Sequence, residues 1–366
     1  MNVQTKFTTT RRELAASLIE RDDEIDLALT ALIAKEHCLF VGPPGTAKSL
    51  LCDSLTGWIS GNLFSILLTK FTTPEEVFGP ISVTGLKADV YRRVTTGKLP
   101  EAYTAFIDEI FKSSSAIMNT LLKILNERTF QNDGTLIKCP LQLCIAASNE
   151  WPSSESGKEL EALFDRFLFR KTVKAIGTAR GLDSLLWTSN LAPTLTTSIT
   201  PAEIDQANAE AKALPWSDEA KTALVAIIGD ARREGIVAGD RRLRKSVMAV
   251  QSYAWLSGAS EVAPDHLEIL AHTLWADPTE QPRKLAEIVG NVANPQGMKV
   301  TALLQEAEQI IAAADLKNLA AAAACTKKLQ EVVKTLGTIT HPRAIAAKEH
   351  VTAEVKRIKM ASIEAL

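Results

Sequence analysis

Short apolar runs and amphipathic stretches alternate along the first half of the chain. CLFV (38–41), FSILLT (64–69), TAFID (104–108), LCIAAS (143–148) and FLFRKTV (167–173) are strand-length and nearly continuous in apolar residues. Helical patterns lie between them, the first from about Lys48 to Trp58. Strands of that kind need cover on both faces, so the alternation predicts an α/β domain with a mainly parallel sheet wrapped by helices. Between Phe71 and Pro100 the pattern breaks. VFGPISV and DVYRRVTTG carry proline, glycine and alternating residues, which predicts a hairpin-bearing insertion rather than a helix. A second hairpin is expected at ERTFQNDGTLIKCP, with Asp133-Gly134 as its turn.

The α/β part occupies residues 1–175. Beyond Val173 the chain becomes rich in Thr, Ser, Gly and Pro and reads as a linker over 176–199 with at most one short helix. After it the pattern is helical. Thr200-Pro-Ala-Glu203 is a capping-box start with proline at the first helical position, and Ser217 caps the next apolar pattern. These signals predict a small helical domain over 200–278, its core drawn from Leu224, Ile227, Ile228, Leu243, Val247, Val250 and Leu267. From 279 to 366, narrow apolar stripes recur: Val300 to Ile311, Leu329 to Leu336, and Ala347, Val351, Val355 and Ile358. They predict long helices that pair as a hairpin or bundle, or dock on a partner.

Composition bounds the function without choosing it. A chain of 366 residues, 46% hydrophobic and 23% charged, can bury large cores in two or three domains. A net charge of −2 gives no global basic field for nucleic acid or an anionic membrane. MNVQTKFTTTRREL lacks the apolar core of a signal peptide, and no apolar run reaches the roughly 18 residues of a membrane span, so a cytoplasmic location is expected. The five cysteines, Cys38, Cys52, Cys139, Cys144 and Cys325, are scattered, with no C-x-x-C pair, and no H-E-x-x-H is present. Neither a disulfide scaffold nor a zinc site is supported.

The chemistry begins at GPPGTAKS (42–49), directly after CLFV. A phosphate-binding loop needs inward backbone N–H groups, a helix N-terminus facing the anion, a lysine and a metal-binding hydroxyl. The stretch Gly42, Pro43, Pro44, Gly45, Thr46, Ala47, Lys48, Ser49 and Leu50 offers all four: Gly42 and Gly45 permit close approach, Lys48 neutralises the β- and γ-phosphates, and Ser49 ligates Mg2+. The strict pattern has glycine where Ala47 stands. About 60 residues on, TAFID ends in Asp108 and Glu109. Asp108 can hold Mg2+ through water, and Glu109 can deprotonate the water that attacks the γ-phosphate; on their own, two acids ending a strand also suit a solvated turn. Asn149, ending LCIAAS, can polarise that water or simply cap its strand. FDRFLFR places Arg166 and Arg170 beside a strand, where one can act as an arginine finger on a neighbouring subunit or form a surface pair with Asp165. In GDRRLRK, Arg241 or Arg242 opens a helix from which it can touch phosphates; the cluster also reads as a solvated basic face.

The order of these motifs resembles the MoxR branch of the AAA+ ATPases, closest in appearance to its RavA-like members. GPPGTAKS, KFTTPEEVFGPIS, YRRVTTGKLPEA, AFIDEIFKSSSAIMNTLLKILNERTFQNDG, IAASNEWP and ALFDRFLFR carry the likeness over about residues 10–175, with GDRRLRKSV a weaker match. The resemblance implies an AAA+ P-loop domain with a parallel sheet, an all-α lid and a C-terminal helical region. It assigns Lys48 and Ser49 to Walker A, Asp108 and Glu109 to Walker B, Asn149 to sensor 1, Arg166 to the arginine finger, and Arg241 or its neighbour Arg242 to sensor 2. Ala47 is shared by such proteins. The insertion after FTTPEE is implied to be a helix-2 hairpin and QNDG to lie in a pre-sensor-1 hairpin, both on the pore side of a ring.

It further implies ATP and Mg2+ as cofactors, a homohexameric ring, a partner protein with a von Willebrand factor A domain, and chaperone-like remodelling of a protein substrate. RavA-like relatives interrupt their C-terminal helices with a small β-rich domain, and no strand-rich segment of that kind is legible here. A DNA-translocating motor and an ATP-bound assembly switch are the alternatives. Arg92, Arg93 and Lys98 in the insertion are diluted by Glu75, Glu76 and Asp89, which favours protein over nucleic acid, and Glu109 argues against a pure switch.

Overall fold

The computed structural model describes residues 1–151, 158–188, 192–312, 319–339 and 342–364. Five strands form one parallel sheet: β1 (Cys38–Val41), β2 (Leu63–Leu67), β3 (Thr104–Asp108), β6 (Leu143–Ser148) and β7 (Phe169–Thr172). A separate antiparallel hairpin pairs β4 (Thr129–Asn132) with β5 (Thr135–Lys138). The sheet order is β2-β3-β6-β1-β7, with Cys38 opposite both Ile145 and Phe169, and Ile107 opposite Ala146. Every residue of β1 and β6 is buried, as their unbroken apolar runs require. The helix Lys48–Trp58 packs on β3 and β6, and the helix Asp22–Ala34 on β1, β6 and β7. Asp22–Ala34 is interior from Glu24 to Ala34, because the helices Val3–Ser17, Pro201–Ala213 and Asp240–Leu256 cover its far side. Phe7 stands edge-on between Trp58 and Trp255, at 5.0 and 5.4 Å, and joins the N-terminus to both layers.

The N-terminal edge of the sheet is fastened by His37, just before β1. Cys144 N–H donates to its Nδ1 at 3.0 Å, which leaves Nε2 to donate to Leu125 O, also 3.0 Å away, at the end of the helix Ser115–Glu127. Burial, seconded by the nearby Arg128 charge, holds the imidazole neutral well below its ordinary pKa.

The insertion after β2 departs from the expected β-hairpin. It holds two short helices, Pro74–Phe78 and Val83–Leu86, and its only strand-like pairing among the described residues is an isolated bridge between Ile81 and Arg93. Local capping decides this: Glu76 Oε1 accepts the Thr73 N–H at 2.8 Å, Pro74 takes the first helical position, and Ser82 Oγ accepts the Gly85 N–H. The hairpin at Asp133-Gly134 forms as expected, with both turn residues at positive φ. It is tied to the insertion by Asn132, whose side chain accepts from Arg93 N–H (2.7 Å) and donates to Arg93 O (3.0 Å).

Past the sheet, a short helix spans Ala179–Trp187; linker residues 189–191 lie outside the described residues. The capping box at Thr200 and the Ser217 cap are present. The helical core after them has a different phase from the one the sequence suggested. Ile227, Val250 and Leu267 are buried, whereas Leu224, Ile228, Leu243 and Val247 are half-buried. The helix Asp240–Leu256 instead turns Arg242, Ser246, Ala249 and Val250 inward, because Arg242 finds carbonyl acceptors there. Three further helices, Pro295–Ala312, Leu319–Leu336 and Pro342–Glu364, form a bundle around Val300, Ala307, Leu329, Val332, Val351 and Ile358, a core separate from that of the rest of the chain. All five cysteines are buried free thiols. No helix among the described residues is long and apolar enough to cross a membrane.

Candidate nucleotide-binding site

In a parallel sheet, ligands bind at the carboxyl ends of the strands. Three adjacent strands deliver the sequence candidates there: β1 leads into Gly42, β3 ends at Asp108, and β6 leads into Asn149. Gly42 N–H donates to Ser148 O at 3.0 Å, continuing the ladder into the loop.

Gly42 has no room for a side chain, since a Cβ there would lie 2.1 Å from Val173 O. Gly45 and Ala47 both adopt left-handed backbone, at φ 77° and 62°. The left-handed turn explains why glycine is the usual residue before the lysine: Ala47 holds a conformation that costs an L-residue roughly 1–2 kcal/mol. Ala47→Gly is therefore expected to raise stability by about 0.5–1 kcal/mol, after allowing for glycine's freer unfolded state. A urea midpoint that fell would show that the methyl group makes contacts worth more than the strain.

The Lys48 ammonium is buried. It donates to Gly42 O (2.7 Å), Pro43 O (2.8 Å) and Thr46 Oγ1 (3.2 Å), so it lies within the loop's own curve. Burial lowers its pKa, while the nearby charges of Asp108 and Glu109 work in the opposite direction. Ser49 follows in the first helical turn, exposed at the mouth of the loop.

Asp108 Oδ1 accepts the Glu109 N–H at 2.9 Å, which turns the chain sharply after β3. Glu109 sits at φ 53° with its side chain buried. Its Oε1 accepts a hydrogen bond from Asn149 Nδ2, and Oε2 is 3.2 Å from Lys112 Nζ, with no hydrogen-bond partner among the described residues. A buried carboxylate oxygen whose one partner is the ion pair with Lys112 keeps acceptor capacity without a hydrogen bond, which costs free energy unless the site uses it.

Arg166, Arg241 and Arg242 lie at the other end of the sheet. Arg166 precedes β7, whose first residue is opposite the first residue of β1, and Arg241 Nη2 donates to Asn126 Oδ1 at the end of the helix Ser115–Glu127. Together with Lys245 they line one basic pocket. About 13 Å of strand separates that pocket from the phosphate loop, and neither Arg241 nor Arg242 lines the cleft at the loop. The guanidinium groups of Arg241 and Arg242 thus stand away from the chain's own phosphate loop. Arg242 is also consumed structurally: it is buried and donates to the carbonyls of Asp165, Phe167, Leu168 and Thr273. Arg166 is different. Its Nη1 pairs with Asp165 at 3.5 Å, and its buried Nε has no partner among the described residues.

Two features had escaped the sequence reading. Arg21, in what looks like an ordinary charged run, is buried and spans the loop from behind, donating to Thr46 O (3.0 Å) and Lys174 O (2.8 Å). Beside the loop, Leu18, Ile19, Pro44, Ala175, Ile176 and Leu185 line a mostly apolar cleft of about 240 Å3. Its walls come from three distant segments, which no periodicity could assemble.

The parallel sheet, the loop after β1 and the helical lid define an α/β AAA+ ATPase fold. A family model described as the MoxR domain in the MoxR-vWA-beta-propeller ternary systems matches residues 5–209, and an AAA lid domain model matches residues 221–289. An uncharacterised protein of Methanocaldococcus jannaschii is 41% identical over 272 residues, 74% of this chain and 71% of that protein. Chaperone MoxR1 of Mycobacterium tuberculosis is 25% identical over 167 residues, 44% of this chain and 42% of that one. In fold, a solved structure of a Cytophaga hutchinsonii protein named as a candidate ATPase superposes with a TM-score of 0.63 at 15% identity, covering 80% of this chain and 95% of that one. The chain belongs to the MoxR family of AAA+ ATPases.

Proposed function

We propose that this chain hydrolyses ATP at the junction between two of its own copies and uses the cycle to remodel a protein partner. One observation carries the reading: Lys48, Asp108, Glu109 and Asn149 meet at one end of the sheet, while Arg166, its Nε without a hydrogen-bond partner among the described residues, and exposed Arg241 sit at the other. Each end is half of a phosphoryl-transfer site, and a head-to-tail neighbour completes it.

In the completed site the base of ATP lies in the apolar cleft, and the ammonium of Lys48 leaves the loop carbonyls for the β- and γ-phosphates. Ser49 and half-buried Asp108 offer two oxygens, the sparse donor set that suits Mg2+, which takes its other ligands from phosphate and water. Bound there, the ion would neutralise phosphate charge. Asn149 orients Glu109 and the attacking water, Glu109 takes the proton from that water, and Arg166, with Arg241 beside it, stabilises the charge on the neighbour's γ-phosphate. Here residues 1–175 act as the nucleotide-binding part, 176–199 as linker, 200–278 as lid and 279–366 as a helical appendage.

Exposed apolar side chains on the insertion and hairpin support a protein substrate: Phe71 is 91% exposed, Tyr91 59% and Leu136 62%. The name of the matching family model points to a von Willebrand factor A domain protein as partner. The motif spellings resemble RavA-like members; which MoxR subgroup applies turns on the partner bound.

Purified protein should grow with ATP from one chain to a hexameric particle and release phosphate, and Lys48→Ala should abolish nucleotide binding. A chain that binds ATP, stays monomeric and releases no phosphate, even with a von Willebrand factor A domain protein added, would overturn the reading.

A further inference from the structure

Two buried arginines grip the turn that carries Arg166. Within that turn, Arg166 N–H donates to Leu163 O (3.0 Å) and Phe167 N–H to Phe164 O (3.2 Å). Four of its carbonyls face inward and are taken by guanidinium groups. Arg170, on β7, donates to Phe164 O (3.0 Å) and Phe167 O (2.9 Å). Arg242, on the lid helix Asp240–Leu256, donates to Asp165 O (2.8 Å), Phe167 O (3.2 Å) and Leu168 O (3.1 Å). Each then spends a remaining N–H on the lid: Arg170 on Trp275 O at 2.5 Å, Arg242 on Thr273 O at 2.8 Å.

The arrangement is electrostatically expensive. Burial, and after it the charge of Arg242, pulls the Arg170 pKa well below the ordinary arginine value, and the same burial lowers that of Arg242. The counter-charge in contact is Asp165, 2.9 Å from Arg242 and 3.5 Å from Arg170, with its side chain 58% exposed, and Glu36 acts on Arg242 as a weaker one. Apolar residues would fill this space at no such cost. What two planar forks add is orientation, since together they fix the turn's backbone from both sides. Phe164 stacks on Arg170 at 3.8 Å, and Trp151, two residues beyond Asn149, packs edge-on against Phe164 and Trp275 at 5.8 and 5.5 Å. The clamp thus lies between the segment that contacts Glu109 and the lid.

We infer that Arg170 and Arg242 are positioning residues for Arg166, joining its turn to the lid so that lid and turn move as one body and the lid's angle sets whether Arg166 reaches the neighbouring subunit's phosphates. The inference rests on the proposed role of Arg166. Its test uses the full chain with four variants, Arg166→Ala, Arg242→Met, Arg242→Lys and the double variant Arg166→Ala/Arg242→Met. Circular dichroism, binding of a fluorescent ATP analogue, kcat and KM are measured for each.

Arg242→Met should bind nucleotide as the parent does, keep KM within about twofold and lose at least about tenfold in kcat. The double variant should be no slower than Arg166→Ala, because both changes act through one group. Admixed Lys48→Ala subunits, which keep an intact clamp, should restore turnover to Arg242→Met. Full turnover in folded Arg242→Met, or losses that add in the double variant, would overturn the inference. Normal turnover in Arg166→Ala would instead remove the reading on which it rests. Should Arg242→Met not fold, Arg242→Lys, which keeps the charge and loses the fork, decides by the same comparison.

Discussion

Glu109→Gln is expected to lower ATP turnover by about 10²–10⁴-fold, the usual worth of a general base, while leaving ATP bound. The substitution is nearly isosteric and keeps the oxygen that accepts from Asn149 Nδ2, so the turn after β3 should survive. The charge it removes is paired with Lys112, whose side chain is 42% exposed and can turn to water once the carboxylate is gone, so melting should shift little. The oxygen that becomes an amide is the one without a hydrogen-bond partner, where the attacking water would be activated. Phosphate release and nucleotide retention, measured together, separate the outcomes. Lost release with retained ATP fits the base. Unchanged release would take Glu109 out of the chemistry and leave its strained backbone unexplained.

The second large effect concerns Arg166. Arg166→Ala should reduce turnover by at least about 10³-fold, in line with other arginine fingers. Nucleotide affinity of the isolated chain should stay as it is, since the residue lies at the far end of the sheet from the phosphate loop. Stability should also hold, because the side chain has one weak ion pair and an unpartnered Nε to lose. Mixed with Lys48→Ala, itself inactive, the variant should regain activity: a junction with Lys48 from one chain and Arg166 from the other is complete. Assembled mixtures that stay silent would argue that Arg166 serves its own subunit.

Much of the architecture could be read from the amino-acid order. Unbroken runs such as CLFV and LCIAAS fixed buried parallel strands, and the helix starting at Lys48, the Asp133-Gly134 turn and the Thr200 capping box lie where local chemistry put them. The phosphate loop, the Asp108-Glu109 pair and Asn149 were legible because each ends a strand, and parallel strands bring their ends together. Three things were hidden for one reason. The short helices at Pro74 and Ser82, the inward turn of Arg242 and the burial of Arg21 all depend on which polar group finds a partner, and hydrophobic patterning is blind to that. A cation at the start of a helix looks solvated until the carbonyls it meets, some 75 residues away in the chain for Arg242 and Phe167, are known.

The three-helix bundle of residues 295–364 keeps its interior to itself. Among the described residues its buried apolar side chains form a cluster apart from the one around the phosphate loop and the lid, and its first helix meets the helix Gln281–Ala293 at Met298 and Gly290. Away from that contact it can be rewritten without reopening the other packing. Selection can therefore act on the two parts separately. The machinery for ATP is held constant by its geometry, while the bundle is free to drift, specialise or be exchanged, and lineages carrying the same engine can diverge there first.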